Sequence, residues 1–218
     1  MEDQTPPGPK ALAPTNIHLT KGEENRDSYH ANNGLILKSI KSRTDVIPIR
    51  YASAKHPGPL ESIQWNRSWF ISGPAGTGKT WLAYAIYRKI ISAVAMSAHK
   101  RVSWPMALPM PPVVSPVLMS KLRTMVGARD DRLSERIDDL IGTKYLIIDD
   151  IGGELQSDFS DNIIFQIVEE RYANEFYTGF TSNFERKNLP YDDRIKSRIF
   201  GIVGDNAMVI EGTDRRVK

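Results

Sequence analysis

The chain has 218 residues, a formal net charge of +3 and no cysteine, with 40% hydrophobic and 25% charged residues. This composition is typical of a globular domain, and the lack of cysteine excludes disulfide bonds, Cys-ligated zinc and a thiol nucleophile. No apolar run is long enough to cross a bilayer, and the polar, proline-rich N-terminus lacks the pattern of a signal peptide. We therefore expect a cytoplasmic protein with no membrane partner.

Residues 1–45 are predicted to form an N-terminal arm. Four of the first fourteen residues are proline, and the segment is otherwise rich in polar and charged residues. Two interpretations stay open: a partly disordered extension, or an arm that folds on contact with a partner. The folded domain is expected to cover residues 46–218. It begins with an extended segment at residues 46–51, because Pro48 disfavours a helix there.

From residue 69 onward, apolar runs of strand length alternate with segments of helical spacing. The predicted strands are residues 69–72, 101–104, 144–151, 180–183 and 207–210, and the predicted helices are residues 79–95, 117–126, 132–141, 161–172 and 191–200. Such alternation predicts an α/β fold in three layers, with a parallel sheet covered by helices on both faces.

Two local features carry expectations of their own. Residues 105–116 hold five prolines, which argues against a central strand or a helix interior. A surface loop and a loop facing a substrate or a neighbouring subunit both fit this segment. Arg171 follows two glutamates, and we expect it to be a surface charge.

The best-defined motif is the phosphate-binding pattern G-x-x-x-x-G-K-[ST], matched by Gly73, Pro74, Ala75, Gly76, Thr77, Gly78, Lys79 and Thr80. Gly73 and Gly78 allow positive φ and a close backbone approach to a triphosphate. Lys79 is expected to reach the β- and γ-phosphates, and Thr80 to offer its hydroxyl to Mg²⁺. The helix that follows, starting around Trp81, adds its positive end to the site. The motif predicts binding of ATP with Mg²⁺ by residues 73–81.

Two carboxylates, Asp149 and Asp150, end a fully apolar predicted strand. Ligands of open parallel sheets bind beyond the carboxyl ends of the strands. We expect Asp149 to hold Mg²⁺ beside Thr80, directly or through a water. Asp150 is expected to polarise the attacking water as a general base. The alternative is a pair of acids that caps an exposed turn before Gly152.

Several segments resemble the DnaC/DnaI-type bacterial helicase loaders of the AAA+ superfamily, to which IstB-like ATPases are closely related. They are VIPIRY at 46–51, YLIIDDIGGE at 145–154, GFTSNF at 179–184, RIKSRI at 194–199 and TDRR at 213–216. The resemblance spans residues 46–218 and implies a P-loop NTPase core of the AAA+ type without a separate lid domain. The short N-terminal part is similar to versions carried by phages or mobile elements, and it has no cysteine for the zinc found in some loaders.

The resemblance also implies roles for polar side chains outside the phosphate loop. Asn183 corresponds to the sensor that contacts the γ-phosphate or the attacking water. Arg198, or alternatively Arg194, corresponds to the arginine finger that reaches the site of a neighbouring subunit. Arg216, or alternatively Arg215, corresponds to the second sensor, which touches the γ-phosphate within the same chain.

An arginine supplied to a neighbour implies head-to-tail self-assembly into a ring or an open spiral. The resemblance further implies a hexameric replicative DNA helicase and single-stranded DNA as partners. Single-strand binding needs basic side chains with aromatic groups for stacking, and a candidate surface comprises Lys100, Arg101, Trp104, Lys121, Arg123 and Arg129. Its alternative is a solvated face with Trp104 in the core.

The function most consistent with these features is an ATPase that places a replicative helicase on single-stranded DNA, with slow, assembly-dependent hydrolysis. An IstB-like transposition helper ATPase shares the same motifs. A small P-loop kinase would need an acceptor site and an arginine-rich lid, for which the sequence offers no clear candidate. A binding module that uses ATP only as a switch is a further alternative.

Overall fold

The computed structural model describes residues 47–54, 63–99 and 109–214, and a five-stranded sheet organises them. The strands are β1 (Trp69–Ser72), β2 (Val113–Val114), β3 (Tyr145–Asp149), β4 (Tyr177–Ser182) and β5 (Ala207–Val209), and the helices are α1 (Lys79–His99), α2 (Ser115–Gly127), α3 (Arg132–Gly142), α4 (Asp158–Ala173) and α5 (Asp193–Val203). The strand order is β2-β3-β4-β1-β5, with every neighbouring pair parallel. The predicted α/β fold is confirmed.

Alternating side chains of the central strands build two cores, one on each face of the sheet. On one face Trp69, Ile71, Tyr145 and Ile147 pack with α1. On the other face Phe70, Leu146, Ile148 and Phe180 pack with α2, α3, α4 and α5. Because successive residues of a strand point to opposite faces, a strand covered on both sides must be apolar throughout. This explains the uninterrupted apolar run of β3, all of which is buried.

Capping side chains set the starts of two helices near the site. α4 begins before the predicted residue 161, because the Ser157 hydroxyl accepts a hydrogen bond from the backbone N–H of Ser160. α5 begins after the predicted residue 191, because the Asp192 carboxylate accepts from the N–H of Ile195 at 3.0 Å. β4 spans Tyr177–Ser182 rather than residues 180–183. Asn183 therefore stands just beyond the strand.

The proline-rich segment was expected to be a loop as far as residue 116, and that prediction is wrong at its C-terminal end. Val113 and Val114 pair with Ile148 and Asp149 as the edge strand β2, and α2 follows at once with Pro116 in its first turn. Edge strands and first helical turns are the places where proline costs least, because the missing N–H has no partner there.

Other expectations fall on parts of the chain outside the described ranges. The N-terminal arm at residues 1–45 and the predicted strand at residues 101–104 lie outside the described residues. Where the structure does describe helices, none combines the length and the apolar character that crossing a bilayer requires.

The expectation that Arg171 is a surface charge is wrong: its side chain is fully buried near the start of β4. Its guanidinium donates to the carbonyl oxygens of Leu140, Thr143 and Tyr177 and to the hydroxyl of Thr178. Burial lowers the pKa of Arg171 to about 9. The five donors of one guanidinium thus satisfy carbonyls at the end of α3 and at the start of β4, which local sequence pattern does not reveal.

We expect Arg171→Met to lower the free energy of unfolding by at least about 3 kcal/mol, because several buried acceptors lose their donors together. Arg136→Met is a matched control on α3, since the Arg136 side chain is 42% exposed and its nitrogen lies 3.9 Å from Asp139. That control should change stability by less than about 1 kcal/mol. Urea denaturation measures both, and equal losses in the two variants would contradict the structural role of Arg171.

Candidate functional site

The phosphate loop connects β1 to α1 at the carboxyl edge of the sheet. Three glycines in it have positive φ: Gly73 at 149°, Gly76 at 77° and Gly78 at 104°. Gly76 was predicted to bind the nucleotide, but positive φ was predicted only at Gly73 and Gly78. A Cβ atom on Gly76 would lie 1.9 Å from Oδ1 of Asp214, because the C-terminal segment runs against the loop. A side chain at this position is therefore excluded by both backbone conformation and packing.

Lys79, at the start of α1, is 7% exposed and faces the inside of the loop. Its ammonium group donates to the carbonyl oxygens of Gly73 at 2.7 Å and Pro74 at 2.8 Å. It also donates to Oδ1 of Asn183 at 2.8 Å. The amide of Asn183 in turn donates from Nδ2 to Oδ1 of Asp150 at 2.6 Å. One amide therefore joins the cation of the phosphate loop to the second acid.

Asp149 is 3% exposed at the end of β3 and is held by two hydroxyl groups. Thr181 donates to Oδ1 at 2.6 Å, and Thr80 donates to Oδ2 at 3.0 Å. Burial raises the pKa of Asp149, as does the nearby charge of Asp150, while the two hydroxyl groups and Lys79 oppose the rise. Thr181 was not identified from the sequence, since its role follows from the pairing of β4 with β3.

A divalent cation fits the chemistry of this corner. Thr80 and Asp149 offer hard oxygen atoms, and Mg²⁺ typically takes only one or two carboxylates together with water and phosphate oxygens. A cation would also offset the electrostatic cost that raises the pKa of the buried Asp149 carboxyl group. Among the described residues, no cluster of three or more acidic or histidine side chains forms an alternative metal site.

Asp150 follows directly in a left-handed conformation, with φ at 59°. Its backbone N–H donates to the Thr181 hydroxyl at 2.9 Å. A non-glycine residue rarely adopts this conformation, and the neighbours that hold it in place keep its carboxylate turned toward Asn183. Asp149 and Asp150, adjacent in sequence, thus occupy different environments: the first is buried between hydroxyl groups, and the second lies at the surface of the cavity.

These side chains line one cavity of about 580 Å³ that also has an apolar wall. Trp81, Pro48 and Arg50 line it, together with Tyr51 and Tyr84. The two tyrosine rings stack at 4.5 Å with an angle of 8° between their planes. Burial is the main cause that raises the pKa of Tyr84. Pro48, Arg50 and Tyr51 are therefore part of the candidate site, a role that sequence pattern alone had not assigned.

Neither Arg198 nor Arg194 is among the residues that line this cavity. Arg198 pairs with Glu169, and its guanidinium lies 5.2 Å from the centre of the Tyr172 ring. Arg194 pairs with Asp192 at 2.8 Å and lies over Phe165. Both aromatic partners are on α4, so the two arginines lie along the side of α5 that faces α4. Arg215 and Arg216 lie outside the described residues, although Asp214, just before them, contacts Gly76.

The candidate DNA surface is described only in part, since Lys100, Arg101 and Trp104 lie outside the described residues. On α2, Arg123 donates to the Ser157 hydroxyl at 2.8 Å, and its guanidinium lies 5.5 Å from the centre of the Phe159 ring. Lys121 lies on the same helix, and Arg129 follows it with φ at 51°. The DNA-binding surface therefore stays a prediction.

Comparisons with known proteins identify the family of the chain. The profile of a family described as "IstB-like ATP binding protein" matches residues 25–187. A curated relative, the replicative helicase loader DnaC of Buchnera aphidicola subsp. Baizongia pistaciae, is 30% identical over 127 residues, which is 56% of this chain and 45% of that protein. The chain thus spans less than half the length of that relative.

Three solved structures share the fold. AMPPCP-bound DnaA from Aquifex aeolicus superposes with a TM-score of 0.51 and 18% identity, over 88% of this chain and 48% of that one. A DnaC helicase loader superposes with a TM-score of 0.50 and 19% identity, over 90% of this chain and 95% of that one. DnaI superposes with a TM-score of 0.50 and 21% identity, over 94% of this chain and 90% of that one. The resemblance to the DnaC/DnaI group and to IstB-like ATPases, inferred from sequence motifs, is confirmed.

We expect Lys79→Ala to abolish ATP binding, because the variant loses the only cation within the described phosphate loop. Lys187→Ala is a suitable control, since Lys187 is an exposed lysine paired with Glu185 at 3.2 Å. Equilibrium binding of a fluorescent ATP analogue measures both variants. Retention of wild-type affinity by Lys79→Ala would contradict the assignment of the phosphate loop.

Proposed function

This chain belongs to the IstB-like ATP-binding protein family, and we propose that it hydrolyses ATP with Mg²⁺ to place a replicative DNA helicase on single-stranded DNA. The observation that carries the hydrolytic part is the convergence of five polar side chains on one cavity. Lys79 and Thr80 come from the phosphate loop, Asp149 and Asp150 from the end of β3, and Asn183 from the end of β4. These are three neighbouring elements of one sheet edge.

The chemistry assigned to these residues follows from their environments. Backbone N–H groups within residues 75–81 and the ammonium of Lys79 bind the phosphates. Thr80 and Asp149 would hold Mg²⁺, which would neutralise charge that develops on the phosphate oxygens. Asp150 accepts the proton of the attacking water, and Asn183, which already donates to Asp150 at 2.6 Å, orients that water or the γ-phosphate.

The proposed assembly rests on the position of α5. Arg198 is 37% exposed and does not line the cavity of its own chain, so it is accessible to a second copy of the chain. A finger arginine in this place completes the cavity of a neighbour, with Arg194 as the alternative, and such contacts produce a ring or a spiral. Within one chain, the contact of Asp214 with Gly76 supports Arg216 as a second sensor, with Arg215 as its alternative.

The helicase and DNA parts of the proposal are supported by the sequence resemblance to loaders and by the relative named a replicative helicase loader. The second candidate function is that of a transposition helper ATPase. It is favoured by the family profile, which is the IstB-like one and covers most of the chain. The two functions share the ATP site and differ in the partner and in the DNA that is bound.

Co-purification with the host replicative helicase separates these functions. We expect the helicase to bind the Asp150→Asn variant with ATP, because loss of the base leaves ATP binding intact while preventing turnover. Without nucleotide, binding should weaken. Lys79→Ala serves as the control that cannot hold ATP. Filament formation on double-stranded DNA with capture of a transposase, and no helicase, would contradict helicase loading and support the transposition helper.

Arg198→Ala should leave ATP binding by the monomer unchanged and lower the assembly-dependent hydrolysis rate by about 100-fold or more, because the finger acts on the neighbouring site. Arg132→Ala provides a matched control, since Arg132 is an exposed arginine paired with Asp130 at 2.8 Å. Hydrolysis is measured over a range of protein concentrations. A rate that is independent of concentration in the wild type would exclude a finger supplied in trans.

A further inference from the structure

We infer that Glu154 is a positioning residue for ATP turnover, which acts with Tyr191 through the backbone of Gly152 on the turn that carries Asp150. This inference rests on the proposed hydrolytic function. It concerns a buried cluster outside the cavity, here called the Glu154 cluster and defined as Ser115, Gly152, Glu154 and Tyr191. No step in the chemistry assigned above uses these residues.

Glu154 is a carboxylate in an unusual place, since it is 5% exposed and lies beneath the turn that follows β3. Three neutral donors reach it. The Ser115 hydroxyl donates to Oε2 at 2.8 Å, the backbone N–H of Gly152 donates to Oε2 at 3.2 Å, and the Tyr191 hydroxyl donates to Oε1. A buried acid that gathers three donors orients them strongly, because each bond to a charged acceptor is stronger than a neutral one.

The turn held by this cluster begins at Asp150. The backbone oxygen of Asp150 accepts from the N–H of Gly153 at 3.1 Å, and Gly152 has φ at 84°. This corresponds to a four-residue turn with glycine at the position that requires positive φ. A Cβ atom on Gly152 would lie 2.9 Å from Cδ of Pro190, so packing also demands glycine.

The turn is held from two sides, and the Glu154 cluster supplies the inner one. On the β4 side, the N–H of Ile151 donates to the carbonyl of Thr181 at 2.8 Å. On the inner side, the N–H of Gly152 donates to both Tyr191 Oη at 2.9 Å and Glu154 Oε2 at 3.2 Å. Asp150 itself has φ at 59°, and such a conformation persists only where its surroundings impose it.

The same cluster joins the turn to two helices, α5 and α2. Tyr191 directly precedes Asp192, the residue that caps α5, and α5 carries both candidate finger arginines. Ser115 is the first residue of α2. A shift of α5 would therefore move the Tyr191 hydroxyl and with it the N–H of Gly152, two residues from the proposed base. The cluster is a physical connection between the two ends of the proposed catalytic machinery.

Two conservative substitutions break the cluster in different ways. Glu154→Gln keeps the shape of the side chain but replaces one acceptor oxygen with an NH₂ group. That NH₂ group then faces a donor of the cluster and cannot accept its hydrogen bond. Tyr191→Phe removes the hydroxyl that both donates to Glu154 and accepts from Gly152. If both act on the same turn, the double variant should lose little more than either single variant. Glu170→Gln is the control, because Glu170 is an exposed acid on α4.

The test measures kcat and KM for ATP, affinity for a fluorescent ATP analogue and the thermal midpoint. The wild type and Asp150→Asn are measured first. If the wild type does not turn over ATP, or if Asp150→Asn turns over ATP as fast as the wild type, the proposed function is overturned and this inference with it. Given wild-type turnover, Glu154→Gln and Tyr191→Phe should each lower kcat by about 10- to 100-fold, the range seen for residues that orient a catalytic group. Affinity for the analogue should change by less than about twofold.

Three results would overturn the inference alone while leaving ATP hydrolysis intact. The first is an unchanged kcat in Glu154→Gln. The second is a parallel loss of kcat, analogue affinity and thermal midpoint, which would indicate a purely structural role. The third is a loss of kcat in the double variant that equals the product of the two single losses. Such a result would mean that the two residues act independently and not through one turn.

Discussion

The buried carboxylate of Asp149 is the constraint on which the site depends. β3 is apolar and fully covered, so a charged group at its end needs polar partners inside the domain. The hydroxyl groups of Thr80 and Thr181 provide them, from α1 and β4 respectively. Those two bonds fix the distance between the phosphate loop and the sheet edge. The pKa of Asp149 is raised because the effect of burial exceeds that of the two hydroxyl groups and Lys79. A bound cation would offset the cost of burying the carboxylate charge.

Asn183 gives the site its second connection. Its amide oxygen accepts from Lys79 while its nitrogen donates to Asp150, so one side chain spans the loop and the proposed base. An amide suits this place because it offers an acceptor and donors at once, whereas a carboxylate or an ammonium offers only one kind. The position of Asn183, one residue beyond β4, follows from the parallel pairing of β4 with β3 and β1.

Packing between helices positions the two candidate finger arginines. Arg194 and Arg198 of α5 each lie over an aromatic ring of α4. Such contacts hold the long arginine side chains against the domain while leaving part of them exposed. The candidate cavity and the two arginines therefore occupy different surfaces of one chain. This division is the arrangement that a head-to-tail contact between copies would use.

Sequence by itself determined the fold class, the phosphate loop and the acidic end of β3. Each of these is carried by contiguous residues with a definite period or spacing, so local pattern was sufficient. Element boundaries shifted where a single cap decided them, as with Ser157 and Asp192. The prediction for the proline-rich segment was wrong at its C-terminal end because Val113 and Val114, two adjacent residues of that segment, form an edge strand only by pairing with β3.

Tertiary structure alone decided the features that join distant parts of the chain. The burial of Arg171, the contact of Asp214 with Gly76 and the stack of Tyr51 on Tyr84 are of this kind. So is the Glu154 cluster, whose side chains come from three separate segments. None has a local signature, because each depends on which side chains the sheet order and helix packing bring within hydrogen-bond or van der Waals distance. Residue types and their spacing predict the chemistry of the phosphate loop, whereas packing determines which other residues lie around it.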